Sequence, residues 1–183
     1  MKISKKIKLI IHNNTISTKQ LEIKLKKIGF SKIQRLKISK IDSIKIDNNT
    51  IILSLIDYNN KKEVEEQFFL NYLTQKNKSI LISFRSNSYG ISIGPIVFSK
   101  TTCLNCVKEE IERFNSINPK SNTSKLVLYD IGKALILHLT TLAAKKNYSL
   151  IKNKMIHIYG DIPKIYYDFV FKKPFCEMCT NND

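Results

Sequence analysis

The chain has 183 residues, of which 43% are hydrophobic, enough for one domain with its own core. Lysine and arginine together number 31 and aspartate and glutamate 15, so the formal net charge is +16 at pH 7. No run of 18 or more apolar residues is present, and the apolar stretch at residues 7–11 is too short for a signal peptide. Length and composition therefore predict a cytoplasmic protein without a membrane span.

The positive charge is nearly all lysine, and it is spread along the chain. The arginines are Arg35, Arg85 and Arg113 only, and we find no interleaving of basic and aromatic residues of the kind that stacks bases. The abundance of lysine, isoleucine and asparagine also fits a compositional bias. The charge suits an acidic protein or peptide as well as nucleic acid, so nucleic-acid binding stays as the alternative.

The first part of the chain predicts a β-α-β unit. A strand is expected at residues 6–11, a helix from a cap at Ser17 or Thr18 to Gly29, and a strand at residues 31–38. The length of about 30 residues is typical of two parallel strands joined by a helix. Gly29 is the first glycine in the chain, so the loop after the first strand cannot be a glycine-rich phosphate loop.

The middle of the chain predicts further strands and helices. We expect, in order, a buried strand at residues 51–56, a helix at 61–76, a strand at 79–84, a strand or hairpin at 89–98 and a helix at 109–115. The apolar positions of the helix at 61–76 are Val64, Phe68, Leu70 and Tyr72.

The strongest predicted helix covers residues 126–146. The residues expected along one side of it are Leu128, Ile131, Leu135, His138 and Leu142. We interpret His138 as a core histidine rather than a ligand. Two strands at residues 155–159 and 165–171 are predicted to form a hairpin through a turn at 160–163.

Four aromatic residues in the last predicted strand alternate between its two faces. They are Tyr166, Tyr167, Phe169 and Phe171. One face can enter the core. The other is covered either by the helix at residues 126–146 or by a second molecule, because a monomer of this size rarely leaves so much aromatic area bare.

All four cysteines of the chain fall into two C-x-x-C pairs, which are Cys103 with Cys106 and Cys176 with Cys179. Two such pairs supply the four thiolates of a tetrahedral zinc site. The segment 107–175 between them is far longer than the roughly 15–20 residues of a compact zinc ribbon, so zinc would tie the C-terminal tail to the middle of the chain. Disulfides or a redox pair are the alternatives, and four thiolates leave no open position for catalysis.

Several motifs resemble the ubiquitin-activating-enzyme-like ThiF/MoeB/HesA group, and more narrowly the zinc-containing partner of azoline-forming cyclodehydratases in bacteriocin biosynthesis. The matching stretches are residues 51–57 (IILSLID), 69–72 (FLNY), 93–106 (IGPIVFSKTTCLNC) and 173–179 (KPFCEMC). The resemblance covers most of the chain from residue 51 onward. Residues 6–38 match in shape only.

The resemblance implies a scaffold without the family's active site. The glycine loop is absent, and the segment between residues 38 and 51 is shorter than the family's ATP-holding segment. Asp57 stands where the family has a metal-phosphate aspartate, and we interpret it as a strand-end acid. No cysteine is left for a thioester if all four bind zinc. No catalytic and no nucleotide-binding residue is therefore predicted.

The expected fold is α/β, a truncated Rossmann-like ThiF/MoeB-type sheet with flanking helices and a C-terminal structural zinc knuckle. A single domain is predicted over residues 1–183, with a degenerate Rossmann-like part at 1–98 and a zinc-pinned part at 99–183. The implied function is a non-catalytic partner of a YcaO-type cyclodehydratase and its precursor peptide, with a homodimer possible and leader recognition left to another protein. The alternatives are a nucleic-acid-binding zinc protein and an adenylating ThiF-like enzyme with an atypical loop.

Overall fold

The computed structural model describes residues 3–4, 6–13, 18–37, 45–87, 89–98, 101–116, 125–148, 152–160 and 165–180. Within them, seven strands form one sheet in the order β2-β1-β3-β4-β5-β6-β7. The elements in chain order are β1 (Lys8–Asn13), α1 (Lys19–Lys27), β2 (Lys32–Leu36), β3 (Thr50–Asp57), α2 (Lys61–Asn77), β4 (Ile80–Ser86), β5 (Gly90–Val97), α3 (Lys108–Ser116), α4 (Lys125–Ala144), β6 (Lys154–Tyr159), β7 (Ile165–Phe169) and α5 (Glu177–Thr180).

The sheet changes from parallel to antiparallel along its width. Strands β2, β1, β3 and β4 are parallel neighbours, which confirms the predicted β-α-β unit. Strands β4, β5, β6 and β7 are antiparallel neighbours, which confirms the predicted C-terminal hairpin; residues 161–164 of its turn lie outside the described residues. The predicted division at residue 98 stays a prediction, and strands from both sides of it share this sheet.

Each face of the sheet carries its own hydrophobic core. On the first face, which we call face one, α1 and α4 pack over residues such as Leu9, Leu53 and Phe84. On the second, face two, Leu70 of α2, the cysteines and Ile111 of α3 pack with Ile52 and Met155. Alternate residues of a strand point to opposite faces, so each strand except the exposed β7 feeds both cores, and β3 and β4 are buried along nearly their whole length.

Helix α1 begins at Thr18 and ends before Gly29. Thr18 occupies the cap position, but its hydroxyl donates to the Glu22 carboxylate instead of capping the helix, so the predicted side-chain cap is wrong at this residue. Ser17 lies outside the described residues. Gly29 has φ of +111°, a conformation that side chains rarely adopt, and it ends the helix as predicted.

Helix α2 buries polar residues where apolar ones were expected. Of the four predicted apolar positions only Leu70 is fully buried, and Tyr72 is exposed. The buried side instead includes Glu63, Glu66 and Gln67. The reason is tertiary, because this side of α2 packs over the ends of β1 and β3, where polar partners receive these side chains.

Helix α4 is present as predicted, but the predicted core side is wrong in part. The buried side of α4 contains Leu128, Gly132, Ile136, Leu139, Thr140 and Ala143. His138 is exposed, so it is not the core histidine that we expected. By length and composition residues 127–144 could also cross a membrane. Their packed side against Phe84 and Ile91 is what the core helix of a globular protein shows.

Candidate metal centre

The first cysteine pair lies in a turn that three hydrogen bonds fasten to the sheet. The N–H of Leu104 donates to Oδ1 of Asn71, a fully buried residue of α2, over 3.1 Å. The N–H of Thr102 donates to Oδ1 of Asn153 over 3.3 Å, and the Thr102 hydroxyl donates its one proton to the carbonyl oxygen of Val170 over 3.2 Å. These bonds join the turn to α2 and to the flanks of β6 and β7, so the sulfurs of Cys103 and Cys106 are positioned from three directions.

The second pair reaches the first from the end of β7. The chain leaves β7 over face two, and the Lys173 N–H lies 3.4 Å from the sulfur of Cys106. The N–H of Cys179 then donates to the carbonyl oxygen of Cys176 over 2.8 Å, which closes the turn at the start of α5. The Lys173 ammonium also pairs with Glu109 of α3 at 2.6 Å.

The four sulfurs form a compact cluster whose dimensions match a tetrahedral metal site. The Sγ atoms of Cys103 and Cys106 are 3.8 Å apart, those of Cys103 and Cys176 3.5 Å, and those of Cys106 and Cys179 3.6 Å. All four lie within 4.8 Å of one another. A tetrahedron with metal–sulfur bonds of about 2.3 Å has edges of about 3.8 Å. The cysteines are free, and these distances are far from the roughly 2.05 Å of a disulfide.

Without a cation, burial disfavours the thiolate form of Cys103 and Cys179. Burial raises the pKa of Cys103 well above its ordinary value and that of Cys179 to about 11. Burial opposes the charge of Cys106 too, but its pKa falls below the ordinary value because hydrogen bonds led by the Lys173 N–H favour its thiolate. Buried thiolates this close repel one another, and a divalent cation removes that cost, so metal binding would release protons.

The structure thus brings all four predicted ligands together. Their arrangement can hold a metal ion but leaves no coordination position for a substrate. Cys103, Cys106 and Cys179 are buried, and Cys176 is half-buried. With four sulfurs around one ion no position is open for water, so the site can hold the tail against the sheet but cannot activate a reactant.

A second polar cluster lies at the ends of β1 and β3. Nε2 of His12 lies 3.0 Å from Oε2 of Glu66, and its Nδ1 lies 3.0 Å from the Ser54 hydroxyl. Because a carboxylate only accepts, Nε2 carries the proton, Nδ1 accepts from Ser54, and Gln67 donates to the Ser54 oxygen over 3.0 Å. Burial lowers the pKa of His12, partly offset by Glu66. His12 and Ser54 are fully buried, so this chain of hydrogen bonds joins α2 to the sheet without facing a substrate.

This polar cluster lies at the edge of the sheet where open α/β sheets bind ligands. The chain passes from β1 to β2 on one side and returns to β3 on the other, so the strand order reverses between β1 and β3. Asp57 ends β3 there, and its carboxylate accepts from the backbone and side-chain N–H groups of Asn59, as a strand-end acid does. Residues 14–17 of the adjoining loop lie outside the described residues.

Sequence reasoning missed the residues that support the cysteines. Asn71 and Thr102 appeared only within family motifs, and Asn153 had no assigned part. The local sequence does not reveal their contacts, because Thr102 and Asn153 meet only when β6 pairs with β5. A threonine directly before a C-x-x-C pair was the one local feature that could have pointed to them.

Strand β7 is exposed over both faces. Ile165, Tyr167 and Phe169 lie on face one opposite Ile158, Ile156 and Lys154 of β6. Tyr167 and Phe169 are 59% and 68% exposed. Helix α4 lies over β3, β4 and β5 in the described structure, so the expectation that it also covers the last strand is wrong.

A groove follows from this placement of α4. Its walls are Leu135, His138, Leu139 and Leu142 of α4 and Ile93, Ile96, Lys154, Ile156 and Tyr167 of the sheet. We call this groove together with Phe169 the β7 surface. It is mainly apolar, with one lysine, Lys154, in its walls. It contains Tyr167 and Phe169, two of the four aromatic residues that the sequence indicated for an interface.

Comparison with solved structures finds this fold in two kinds of enzyme. The structure matches a heterocyclase in complex with substrate and cofactor with a TM-score of 0.65 at 13% identity, over 94% of this chain and 25% of that one. It matches E. coli MccB with ATP with a TM-score of 0.63 at 19% identity, over 94% and 59% of the two chains. The microcin C7 biosynthetic enzyme MccB in complex with N-formylated MccA gives 0.61 at 16% identity, over 94% and 60%.

Sequence comparisons add nothing to this. No family model matches the chain, and no curated protein matches it. The chain spans about a quarter of the heterocyclase and about three fifths of MccB. At these identities the likeness shows the fold alone, which this chain shares with MccB and the heterocyclase.

Proposed function

We propose that this chain is a non-catalytic, zinc-binding subunit of a peptide-modifying complex, in which it supports a YcaO-type cyclodehydratase and its precursor peptide. The observation that carries the proposal is the four-sulfur cluster on a fold shared with a heterocyclase. The thiolate ligands favour zinc over the hard cations magnesium and calcium. With all four cysteines around one ion, no thiol of this chain remains to form a thioester with a substrate.

The buried cluster at the ends of β1 and β3 supports a role without nucleotide chemistry. His12, Ser54, Glu66 and Gln67 satisfy one another there. A phosphate at this edge would need backbone N–H groups of a glycine-rich loop, and the sequence has no glycine before Gly29.

The β7 surface supports a role as a subunit. Exposed aromatic side chains beside an apolar groove are typical of the centre of a protein interface. The net charge of +16 favours an acidic partner and would speed its association.

The proposal can be tested by reconstitution. A YcaO-type enzyme and a short precursor peptide rich in Cys, Ser and Thr, encoded beside this chain, would be combined with it and ATP. Azoline formation removes one water per ring, so mass spectrometry counts the rings. We expect efficient ring formation only when this chain is present. Ring formation at the full rate without it would contradict the proposal.

Variants of the β7 surface make this test specific. Tyr167→Ser combined with Phe169→Ser should weaken recovery of the enzyme in a pull-down and slow ring formation by at least about tenfold, since interface energy concentrates in buried aromatic residues. Val127→Ser is the matched control, because Val127 is a half-exposed apolar residue at the start of α4, outside the groove.

Self-association is the other arrangement that would cover this surface. Light scattering at micromolar concentration should then show a dimer that the double variant loses. A monomer that recovers neither protein nor peptide would refute the subunit role.

The alternative of nucleic-acid binding gains one observation from the structure. Residues 171–175 (FKKPF) combine two aromatic residues with two lysines, and all five are exposed, with Phe175 94% exposed. Our sequence analysis overlooked this interleaving. Filter binding with single-stranded nucleic acid across a salt series separates the two functions, because phosphate contacts give a steep fall of affinity with salt.

A further inference from the structure

Three polar side chains form a row across face two, on three neighbouring strands. Arg85 of β4 is paired with Ser92 of β5, and Ser92 is paired with His157 of β6. Residues paired across neighbouring strands have Cβ atoms about 4.5–5.5 Å apart on the same face. The row therefore places a guanidinium, a hydroxyl and an imidazole side by side.

Each member is buried and keeps one polar atom without a partner in the described part of the chain. Arg85 is 1%, Ser92 0% and His157 4% exposed. The atoms without a partner are Nη2 of Arg85, Oγ of Ser92 and Nδ1 of His157. Buried polar atoms are nearly always hydrogen-bonded. Nη2 of Arg85 and Oγ of Ser92 are neighbouring donors, so they point to one shared external acceptor, whereas Nδ1 of His157 offers only a lone pair because Nε2 faces the Asp168 carboxylate.

The contacts that the row does make show which atoms stay available. Nη1 of Arg85 donates to the carbonyl oxygen of Gly94 over 2.7 Å, and that oxygen also accepts from Ser83. Nε2 of His157 lies 3.3 Å from the Asp168 carboxylate, and Phe114 of α3 stacks on the ring at 5.0 Å. Nη2 of Arg85 and the Ser92 hydroxyl therefore remain as donors.

The row carries a buried positive charge on Arg85. No carboxylate forms an ion pair with Arg85 among the described residues, although burying a cation without a counter-charge is strongly unfavourable. Burial lowers the pKa of Arg85 to about 9 and, together with the charge of Arg85, lowers that of His157, against the pull of Asp168. A bound anion would remove this cost.

We propose that Arg85 and Ser92, bordered by His157, form a buried site for a small oxyanion, either a carboxylate or a phosphate group. A guanidinium edge matches two oxygens of such a group, and the hydroxyl adds a donor from the neighbouring strand. The site contains none of the cysteines. It does not depend on the proposed subunit role, so either can fail without the other.

Thermal unfolding in the presence of named anions tests this site. The zinc-loaded chain would be unfolded in sodium acetate and in sodium phosphate, at an ionic strength held constant with sodium chloride. Ligands that bind only the folded state raise the unfolding temperature in a saturable way. We expect this rise with at least one of the two anions. Acetate alone would identify a carboxylate ligand, and phosphate alone a phosphate group.

Variants assign the response to the row. Arg85→Met should abolish the saturable rise, and Arg113→Met, which changes an exposed arginine of α3, should retain it. Ser92→Ala should weaken the apparent affinity about tenfold, the expected loss of one hydrogen bond to a charged group.

Arg85→Met also separates an anion site from a structural arginine. In chloride alone this variant should unfold no more easily than the parent chain, because it removes an unpaired buried charge and Ser83 still donates to Gly94. If Arg85→Met does not fold, Ser92→Ala decides alone. No saturable response in the parent chain, or an equal response in Arg85→Met or Ser92→Ala, would mean that the row holds water only and would overturn the proposal.

Discussion

At the scale of single residues, the four cysteines have the clearest consequence. Cys176→Ser removes one of four ligands from a cluster whose sulfurs lie 3.5–3.8 Å apart. We expect about one zinc per parent chain, a large loss of zinc in the variant, and a fall in the free energy of unfolding of roughly 2–5 kcal/mol, because metal binding is coupled to folding. Metal analysis and denaturant unfolding measure both.

The control variant changes Glu177, which lies between the predicted ligands Cys176 and Cys179 in the sequence. Glu177→Ser changes an exposed side chain of α5 and should leave zinc content and stability near those of the parent chain. Full zinc occupancy in Cys176→Ser would refute the four-thiolate site.

The buried histidines predict how stability depends on pH. Burial lowers the pKa of His12 and of His157. Below the ordinary histidine pKa of about 6.5 the unfolded chain therefore binds more protons than the folded chain, and the free energy of unfolding should decrease as pH falls, by at most about 1.4 kcal/mol per pH unit for each ring. Urea unfolding at about pH 7.5 and about pH 5.5 measures the difference.

Replacing one histidine shows how much of this pH dependence of the free energy of unfolding it causes. His12→Gln should make the difference between the two pH values smaller, even if the variant is less stable at both. His138→Gln, which changes an exposed histidine of α4, should leave the difference unchanged. An unchanged difference in His12→Gln would contradict the buried, neutral state of that ring.

At the scale of elements, the contact of α4 with the sheet sets a sharp steric limit. A Cβ atom on Gly132 would lie 2.5 Å from Cε2 of Phe84 and 2.8 Å from Cδ1 of Ile91, both buried side chains of the sheet. Alanine is the better helix former by about 1 kcal/mol. We nevertheless expect Gly132→Ala to lower the free energy of unfolding by about 1–3 kcal/mol, because overpacking outweighs propensity.

The converse change in the same helix is the control. Ala134 is exposed, so Ala134→Gly should cost about 1 kcal/mol through propensity alone. Stabilisation by Gly132→Ala in denaturant unfolding would show that α4 lies farther from Phe84 than described.

At the scale of the whole molecule, the fold shared with MccB makes nucleotide binding the decisive question. We expect no change in unfolding temperature with ATP at millimolar concentration, because no glycine precedes Gly29 and the ends of β1 and β3 are joined by the buried hydrogen bond between His12 and Ser54. Calorimetry or thermal unfolding with ATP and magnesium measures this.

A clear stabilisation by ATP would contradict the non-catalytic role. Asp57→Ala should then abolish it, and pyrophosphate exchange would show whether the chain is an adenylating enzyme with an atypical loop. Asp47→Ala is the matched control, since Asp47 accepts from Thr50 in the turn before β3 rather than at its end.

The sequence by itself determined the order of the elements and which four cysteines come together. Strand and helix periodicity are local, so β3, α2 and the C-terminal hairpin were predicted within a few residues. Two C-x-x-C pairs without a spare cysteine leave few arrangements, and the sulfurs do meet. The motifs that flank those cysteines led us to expect an α/β sheet with flanking helices, which is the architecture found.

Only the tertiary structure decided which sides of the helices face the core and which polar residues are buried. The sequence favoured His138 for the core, but the packing of Gly132 against Phe84 turns His138 outward. Glu66 is buried because β1 brings His12 beside it. Arg85 and His157 are 72 positions apart in the sequence numbering, and only strand pairing aligns them. Such partners are set by contacts between distant segments, which no local pattern encodes.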